Sequence, residues 1–365
     1  MWRALSVFTL CLVFNAYAQP PDEPIEKPRK KSSKKKNKKD EDPVTQVLPL
    51  PKELPLAITA ETERLSFFVT PLTSKGLLTA QTHEALRYLI AASKTSTIVK
   101  LRAFVAGSGD TRRIQTLVGE MMTEKRLPLP ALSTVQVGSL GVEGAQVLFE
   151  AIAVDRRVAN PEGLAFISGQ VGKTYGEAVA QVKKAAAAAG AGDILSMTCF
   201  VSSLEDAARD RALAPTAVVV QMRREPSPTA AECEAIARLT KAPAAAVVLL
   251  NPEGLTKSPN YSQIALVKAP KLVFSGMQIA FRTQEADVKL AFDRLAKTLD
   301  AATVKYSNVF FTHTYALTAQ AMDQVRAMRF NYLDKAHPPA STMLPFEGLP
   351  SLDASFGMEV VAAVR

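Results

Sequence analysis

Apolar positions along this chain switch repeatedly between a two-residue and a 3.6-residue period, and the order of the switches comes round three times. The last round is the clearest. Residues 260–267 read as a strand, Pro270-Lys271 as a turn, and 272–277 as a second strand broken at Ser275-Gly276. Val288, Ala291, Phe292, Leu295 and Leu299 then recur at the spacing of one helix face. A third strand is expected over 308–317 and a second helix over 319–333. His337-Pro338-Pro339 stops that helix, because proline lacks an N–H and its ring clashes with the preceding turn. Two strands, 342–346 and 356–364, close the round.

The middle round repeats this order: a strand over 164–170 with Ser168-Gly169, an alanine-rich helix over 177–189, and a strand over 194–202. A short helix over 204–212 and strands over 217–223 and 231–239 follow. The first round is the most worn. Its strand at 65–69 lacks the Ser-Gly break; helices are expected over 82–92 and 112–125, and strands over 98–105, 132–137 and 146–154.

Each round ends on an apolar run that contains an acid: Glu150, Glu234 or Glu359. An isolated charge is costly to bury, so each carboxylate must be solvated, hydrogen-bonded or part of a site. The three acids lie 84 and then 125 residues apart, so the copies differ by insertions and deletions. A repeated ββαβαββ order makes the fold class α+β. A sheet with both helices on one face must bury its other face, and three copies in one chain can do so within the molecule.

The chain has 365 residues, enough for two to three domains, and a net charge of +9. The N-terminal region changes the picture. Arg3, an apolar run too short to span a bilayer, and Ala16-Tyr17-Ala18 read as a secretory leader cleaved after Ala18. Export to the periplasm or the outside is the resulting expectation. Residues 19–55 have no apolar period, and nine Lys or Arg lie between Lys27 and Lys39 without an acid among them. Like charges at that density keep a chain extended. The run is either a solvated spacer or a tether to an anionic envelope surface. It has no aromatics to stack bases, so no nucleic-acid partner is expected. The expected organisation is leader 1–18, linker 19–55 and copies 56–154, 155–243 and 244–365.

Beyond the leader the cysteines are Cys199 and Cys233, and two readings stay open: a disulfide or two buried thiols. His83, His313 and His337 have no ligand-like spacing, and no metal site is expected.

The repeated unit resembles the RidA family, also called YjgF/YER057c/UK114. The third copy carries Tyr261-Ser262-Gln263, Leu272-Val273-Phe274-Ser275-Gly276, His337-Pro338-Pro339-Ala340 and Met358-Glu359. The second carries Phe166-Ile167-Ser168-Gly169-Gln170 and Cys233-Glu234-Ala235-Ile236-Ala237, and the first Pro130-Ala131 and Phe149-Glu150-Ala151-Ile152-Ala153. The resemblance implies a chorismate-mutase-like fold and a monomeric chain built as an intramolecular pseudo-trimer. It also implies ligand clefts between units and hydrolysis of imines or enamines to keto acids, with no cofactor or metal.

In such a family an arginine after Pro-Ala binds the substrate carboxylate, for which a bidentate guanidinium is suited. This chain departs there. The matching positions are Leu132, Ala217 and Ser341. The glutamate matches in all three copies, Tyr261 only in the third, and the cleft-lining Ser-Gly at Ser168, Gly169, Ser275 and Gly276. The glutamates are therefore catalytic candidates with a carboxyl pKa raised by burial, or structural groups paired with a base. The expected function is binding of a keto-acid-like or imine-like metabolite, or of a protein, without imine deaminase activity. The alternative is an active deaminase with a relocated arginine within about 5 Å of a retained glutamate. Arg223, Arg224, Arg238 and Arg329 are candidates, each also readable as a solvated-face residue. Tyr261 reads more readily as hairpin packing than as a ligand contact, and His313 as a satisfied core histidine rather than a catalyst.

Overall fold

The computed structural model describes residues 53–107, 109–223 and 231–364. The leader, the Lys27–Lys39 run and Arg224 lie outside the described residues. The first segment holds β1 (Ala57–Glu61), β2 (Leu65–Val69), α1 (Leu78–Ala92), β3 (Ser96–Ala106), α2 (Arg112–Glu124), β4 (Ala131–Val137), β5 (Ser139–Leu140) and β6 (Val147–Asp155). The second holds β7 (Leu164–Gly172), α3 (Tyr175–Ala188), β8 (Ala191–Val201), α4 (Leu204–Arg209), β9 (Val218–Gln221) and β10 (Ala231–Leu239). The third holds β11 (Val247–Leu250), β12 (Ile264–Val267), β13 (Lys271–Ser275), β14 (Gln278–Phe281), α5 (Glu285–Ala301), β15 (Val309–Ala316), α6 (Ala319–Arg329), β16 (Ala340–Pro345) and β17 (Ala354–Val364). Strand and helix thus alternate as the two periods require. Ser and Thr cap three helices: Thr174 accepts from the Glu177 N–H, Ser203 from that of Asp206 and Thr318 from that of Ala321.

Three sheets result, and they share one plan. In each, the last long strand (β6, β10 or β17) lies antiparallel between the first strand and the strand that follows the first helix. The strand after the second helix pairs in parallel on the outside: β4 on β3, β9 on β8 and β16 on β15. The likeness extends to an irregularity. The register slips between Ile98 and Lys100, between Ile194 and Ser196, and between Val309 and Phe311, each time opposite the same step of the closing strand, and β8 slips a second time beyond Ile194. A bulge inserts one residue and re-aims the side chains beside it. Here the inserted residues are Val99, Leu195 and Phe310, and all three join one apolar cluster.

Segment boundaries are crossed by strands. β1 pairs with β13 of the third segment, β12 pairs with β7 of the second, and β5 pairs with β9. Each segment is therefore stitched to both others by backbone hydrogen bonds. The sequence reading placed 260–263 in a strand; here the regular strand begins at Ile264, and Ser262 makes only an isolated bridge to Ala340.

The core has two kinds of layer. Each helix pair covers the outer face of its own sheet. The inner faces meet one another in two apolar clusters, one around Val99, Phe166, Phe274 and Phe310, the other around Phe104, Phe200, Tyr315 and Phe346. Cys199 and Cys233, directly opposed on β8 and β10, form a buried disulfide, which decides between the two readings left open.

Candidate functional site

Between the two inner clusters lies a polar layer. Register brings it about. Arg102 stands opposite Glu150, Thr198 opposite Glu234, and His313 opposite Glu359. These are one position of the repeat occupied three times, so the three glutamates singled out by sequence converge where the inner faces meet. They are 4–9% exposed.

One guanidinium serves two of them. Arg102 Nε donates to Glu150 Oε2 at 2.6 Å, Nη1 to Glu234 Oε1 at 2.6 Å, and Nη2 to Thr198 Oγ1 at 3.0 Å. Thr198 in turn donates to Glu150. The Lys100 ammonium uses three donors: Glu359 Oε2 at 2.5 Å, Ser133 Oγ at 2.7 Å and the Ser275 carbonyl at 2.7 Å. Ser133 and Tyr315 also donate to Glu359. His313 lies between two carboxylates, with Nε2 2.9 Å from Glu234 Oε2 and Nδ1 2.9 Å from Glu359 Oε1. Only an imidazolium donates from both ring nitrogens. Three carboxylates thus face Lys100, Arg102 and His313, and the layer is electrically neutral when the histidine is charged.

The titration behaviour follows from these contacts. Burial would push the Glu234 carboxyl up, but His313 and Arg102 hold it down at about 2. Burial opposes ionisation of Glu359 too, yet Lys100 and His313 hold it well below the carboxylate range. This corrects the expectation of raised carboxyl pKa values at these positions: the cations supplied by β3 and β15 outweigh desolvation. Burial lowers His313, and Glu234 with Glu359 more than reverses that, so its pKa lies above the usual value. Burial lowers Lys100, and the Glu359 carboxylate opposes the shift. A cavity of about 80 Å³ borders this layer, lined by Lys100, Arg102 and His313 among others. That is small beside the roughly 300–1,000 Å³ of ordinary ligand pockets.

The other sequence-selected residues sit at the interfaces between segments. Leu132 and Ser341 occupy one register position, opposite Leu101 and Thr312, and Ala217 immediately precedes β9, whose Val218 faces Thr198. None supplies a cation. At the interface of the third and first segments, Ser275-Gly276 meets Leu132 and Leu56: Met277 N–H donates to the Leu132 carbonyl and Gly276 N–H to that of Leu56. At the interface of the second and third, Ser341 N–H donates to Ser168 Oγ, and Gly169 N–H to Thr342 Oγ1. A cleft of about 520 Å³ that includes Ala217 lies between the first and second segments, and one of about 710 Å³ beside Leu56 lies between the first and third.

Glu232 is a site residue that the sequence reading passed over. It is half-buried, two residues before Glu234, and its carboxyl occupies the space a Cβ at Gly169 would need. Burial first, and Glu234 second, push it up to about 8. Tyr261 stands beside it, its own pKa raised by burial and by Glu232. Lys100 and Arg102 were also missed. Their signal was in plain view: two charges at alternate positions of the apolar strand 98–105 obey the same rule that singled out the glutamates.

Arg102 meets the distance set for a relocated arginine, being 2.6 Å from Glu234 across a segment boundary, but it is locked inside the layer. Arg223 is exposed and Arg238 pairs with Asp193 at the surface, whereas Arg329 is buried, against the solvated-face reading. His337 is exposed and pairs with Asp334. Among the described residues there is no cluster of His, Cys, Asp and Glu that could hold a metal.

Comparison with solved structures returns single Rid-type proteins, each spanning about one segment. A conserved Rid-family protein of unknown function from Yersinia pestis is 16% identical, covers 33% of this chain and 100% of its own length, and has a TM-score of 0.31. A YjgF/YER057c/UK114 member from Mycobacterium tuberculosis is 18% identical over 32% of this chain and 99% of its own, with a TM-score of 0.24. A YjgF member from Neisseria meningitidis is 12% identical over 33% and 95%, also with a TM-score of 0.24. No family model matches the chain, and no curated protein matches it.

Proposed function

We propose that this protein is an exported, single-chain pseudo-trimer of Rid-like units that binds a small metabolite at an interface between units and does not hydrolyse imines at its three repeated glutamates. One observation carries this reading: each of those carboxylates is already neutralised by Lys100, Arg102 or His313. Glu234 and Glu359, so held, are weak bases, and the pairing leaves no cation for a substrate. Leu132, Ala217 and Ser341 add none. Export rests on the leader read at 1–18.

A second reading has its own observation. Glu232, near 8 and beside Ser168-Gly169 and Tyr261, is protonated at neutral pH and is poised as a general acid. Assay of the mature protein with imines generated from several amino acids separates the two. We expect hydrolysis at the uncatalysed rate. Turnover far above that rate, lost in Glu232→Gln, would replace binding by hydrolysis.

A further inference from the structure

The cavity beside the polar layer is a product of the repeat. Ile152, Ile236 and Val361 follow Glu150, Glu234 and Glu359 by two residues, so they stand on the same inner face, one step along the closing strands. Each faces a phenylalanine of a first strand: Ile152 faces Phe67, Ile236 faces Phe166 and Val361 faces Phe274. On their other side the bulged strands supply Lys100, Ser196 and Phe311. All three triads line the cavity.

The last triad is where the copies differ most in size. Lys100 and Phe311 are long, and the Lys100 ammonium reaches across to Ser275 and Glu359 of the third segment. Ser196 is short and leaves room where its counterparts fill it. Access follows from a second asymmetry. β13 is flanked by β1 and β7 by β12, whereas β2 pairs, among the described residues, only with β6. Phe67, Ile152, Ser196 and Ile236 are half-buried, while Phe274, Phe311 and Val361 are buried. The cavity is therefore reached from the side of the first and second segments.

Three features define what fits. The layer at its base is balanced, each cation being paired with a carboxylate, so a charged guest would lack a counter-ion. The walls are aromatic, and His313, whose side chain is the most exposed of the ionic groups at 15%, also lines the cavity. A cation attracts an aromatic face. Among the described residues nothing hydrogen-bonds the Ser196 hydroxyl, which is free to give or take a hydrogen bond. One water needs roughly 10–15 Å³, so about 80 Å³ holds several waters or one six-membered ring.

We propose that this inner cavity binds a small uncharged phenol, its ring among the phenylalanines and against His313, its hydroxyl on Ser196. The site lies apart from the interface clefts, and the inference does not depend on the metabolite-binding reading.

The test is calorimetric titration of the mature protein with phenol, cyclohexanol and benzoate. Phenol should bind at least fivefold more tightly than either of the others. Ser196→Ala should weaken phenol at least threefold, and Ser196→Phe, which copies Phe311, should abolish its binding. Thermal unfolding shows whether each variant is folded; if Ser196→Phe is not, Ile236→Trp fills the cavity from a half-buried position instead. No binding of phenol, or an unchanged phenol affinity in a folded filling variant, overturns the proposal. Cyclohexanol binding as tightly as phenol overturns the aromatic class, and benzoate doing so overturns the exclusion of charge. An unchanged affinity in Ser196→Ala overturns the hydroxyl contact. If 2-oxo acids bind and phenol does not, this site is wrong and metabolite binding stands.

Discussion

At the scale of single residues, the polar layer works as a charge balance, and His313 is the member whose ordinary pKa lies nearest neutrality. His313 has a folded pKa above its unfolded value of about 6.5. Its contribution to stability is therefore complete below about pH 6.5 and is lost as pH rises through the folded value. Glu234 runs the other way. With a folded pKa of about 2, its contribution is complete above the usual carboxylate range and is lost as pH falls towards that value. Urea midpoints measured across pH should fall on the alkaline side in the parent protein. In His313→Gln they should be lower and fall less steeply there, the remaining slope coming from Glu232, whose pKa is pushed up to about 8. Equal alkaline slopes in both proteins would remove His313 from this role.

At the scale of elements, α6 contains a conflict. Arg329, on its last turn, is 4% exposed; its Nε and Nη2 have no hydrogen-bond partner, and its guanidinium stacks over Phe330. Burial, with Arg326 nearby, pulls its pKa down to about 10. Leaving such donors unmet costs about 1–3 kcal/mol. Arg329→Met keeps the aliphatic bulk and removes the donors, so it should stabilise the protein by about 1 kcal/mol or more, read from denaturant unfolding. A loss of stability would mean that the guanidinium has an acceptor in solution. The bulges show a conflict resolved by repetition. Strict alternation would aim Phe310 and Phe311 to opposite faces; the slip puts both in the inner cluster and sets the phase that brings His313 to Glu359.

At the scale of the whole molecule, three sheets share two inner apolar clusters and exchange strands, so we expect no segment to be stable alone. Light scattering of the mature chain should give the mass of a monomer. A stable homotrimer would mean that the sheets complete their cores between chains. A single chain also permits what three identical subunits do not. The position of Arg102 is threonine in the second segment and histidine in the third, so three carboxylates meet three unlike cations or donors and neutrality is reached. With identical copies, an arginine there would come in threes.

Much of this was legible in the chain. Period and punctuation located the main strands and helices of each copy, though not β1, β5, β11 or β14, because side-chain burial on a strand or a helix face is a local, periodic requirement. The cost of burying charge marked Glu150, Glu234 and Glu359, and the absence of arginine at Leu132, Ala217 and Ser341 could be read directly. What the acids face could not. Lys100 and Glu359 are 259 residues apart, and only the packing of three inner faces brings them together. The direction of the Glu234 and Glu359 carboxyl pKa values, the pairing of Cys199 with Cys233 and the placing of free volume between segments were likewise decided by tertiary structure. The reason is physical: pattern along a chain determines which faces must be buried, whereas charge, reach and free volume depend on which faces meet.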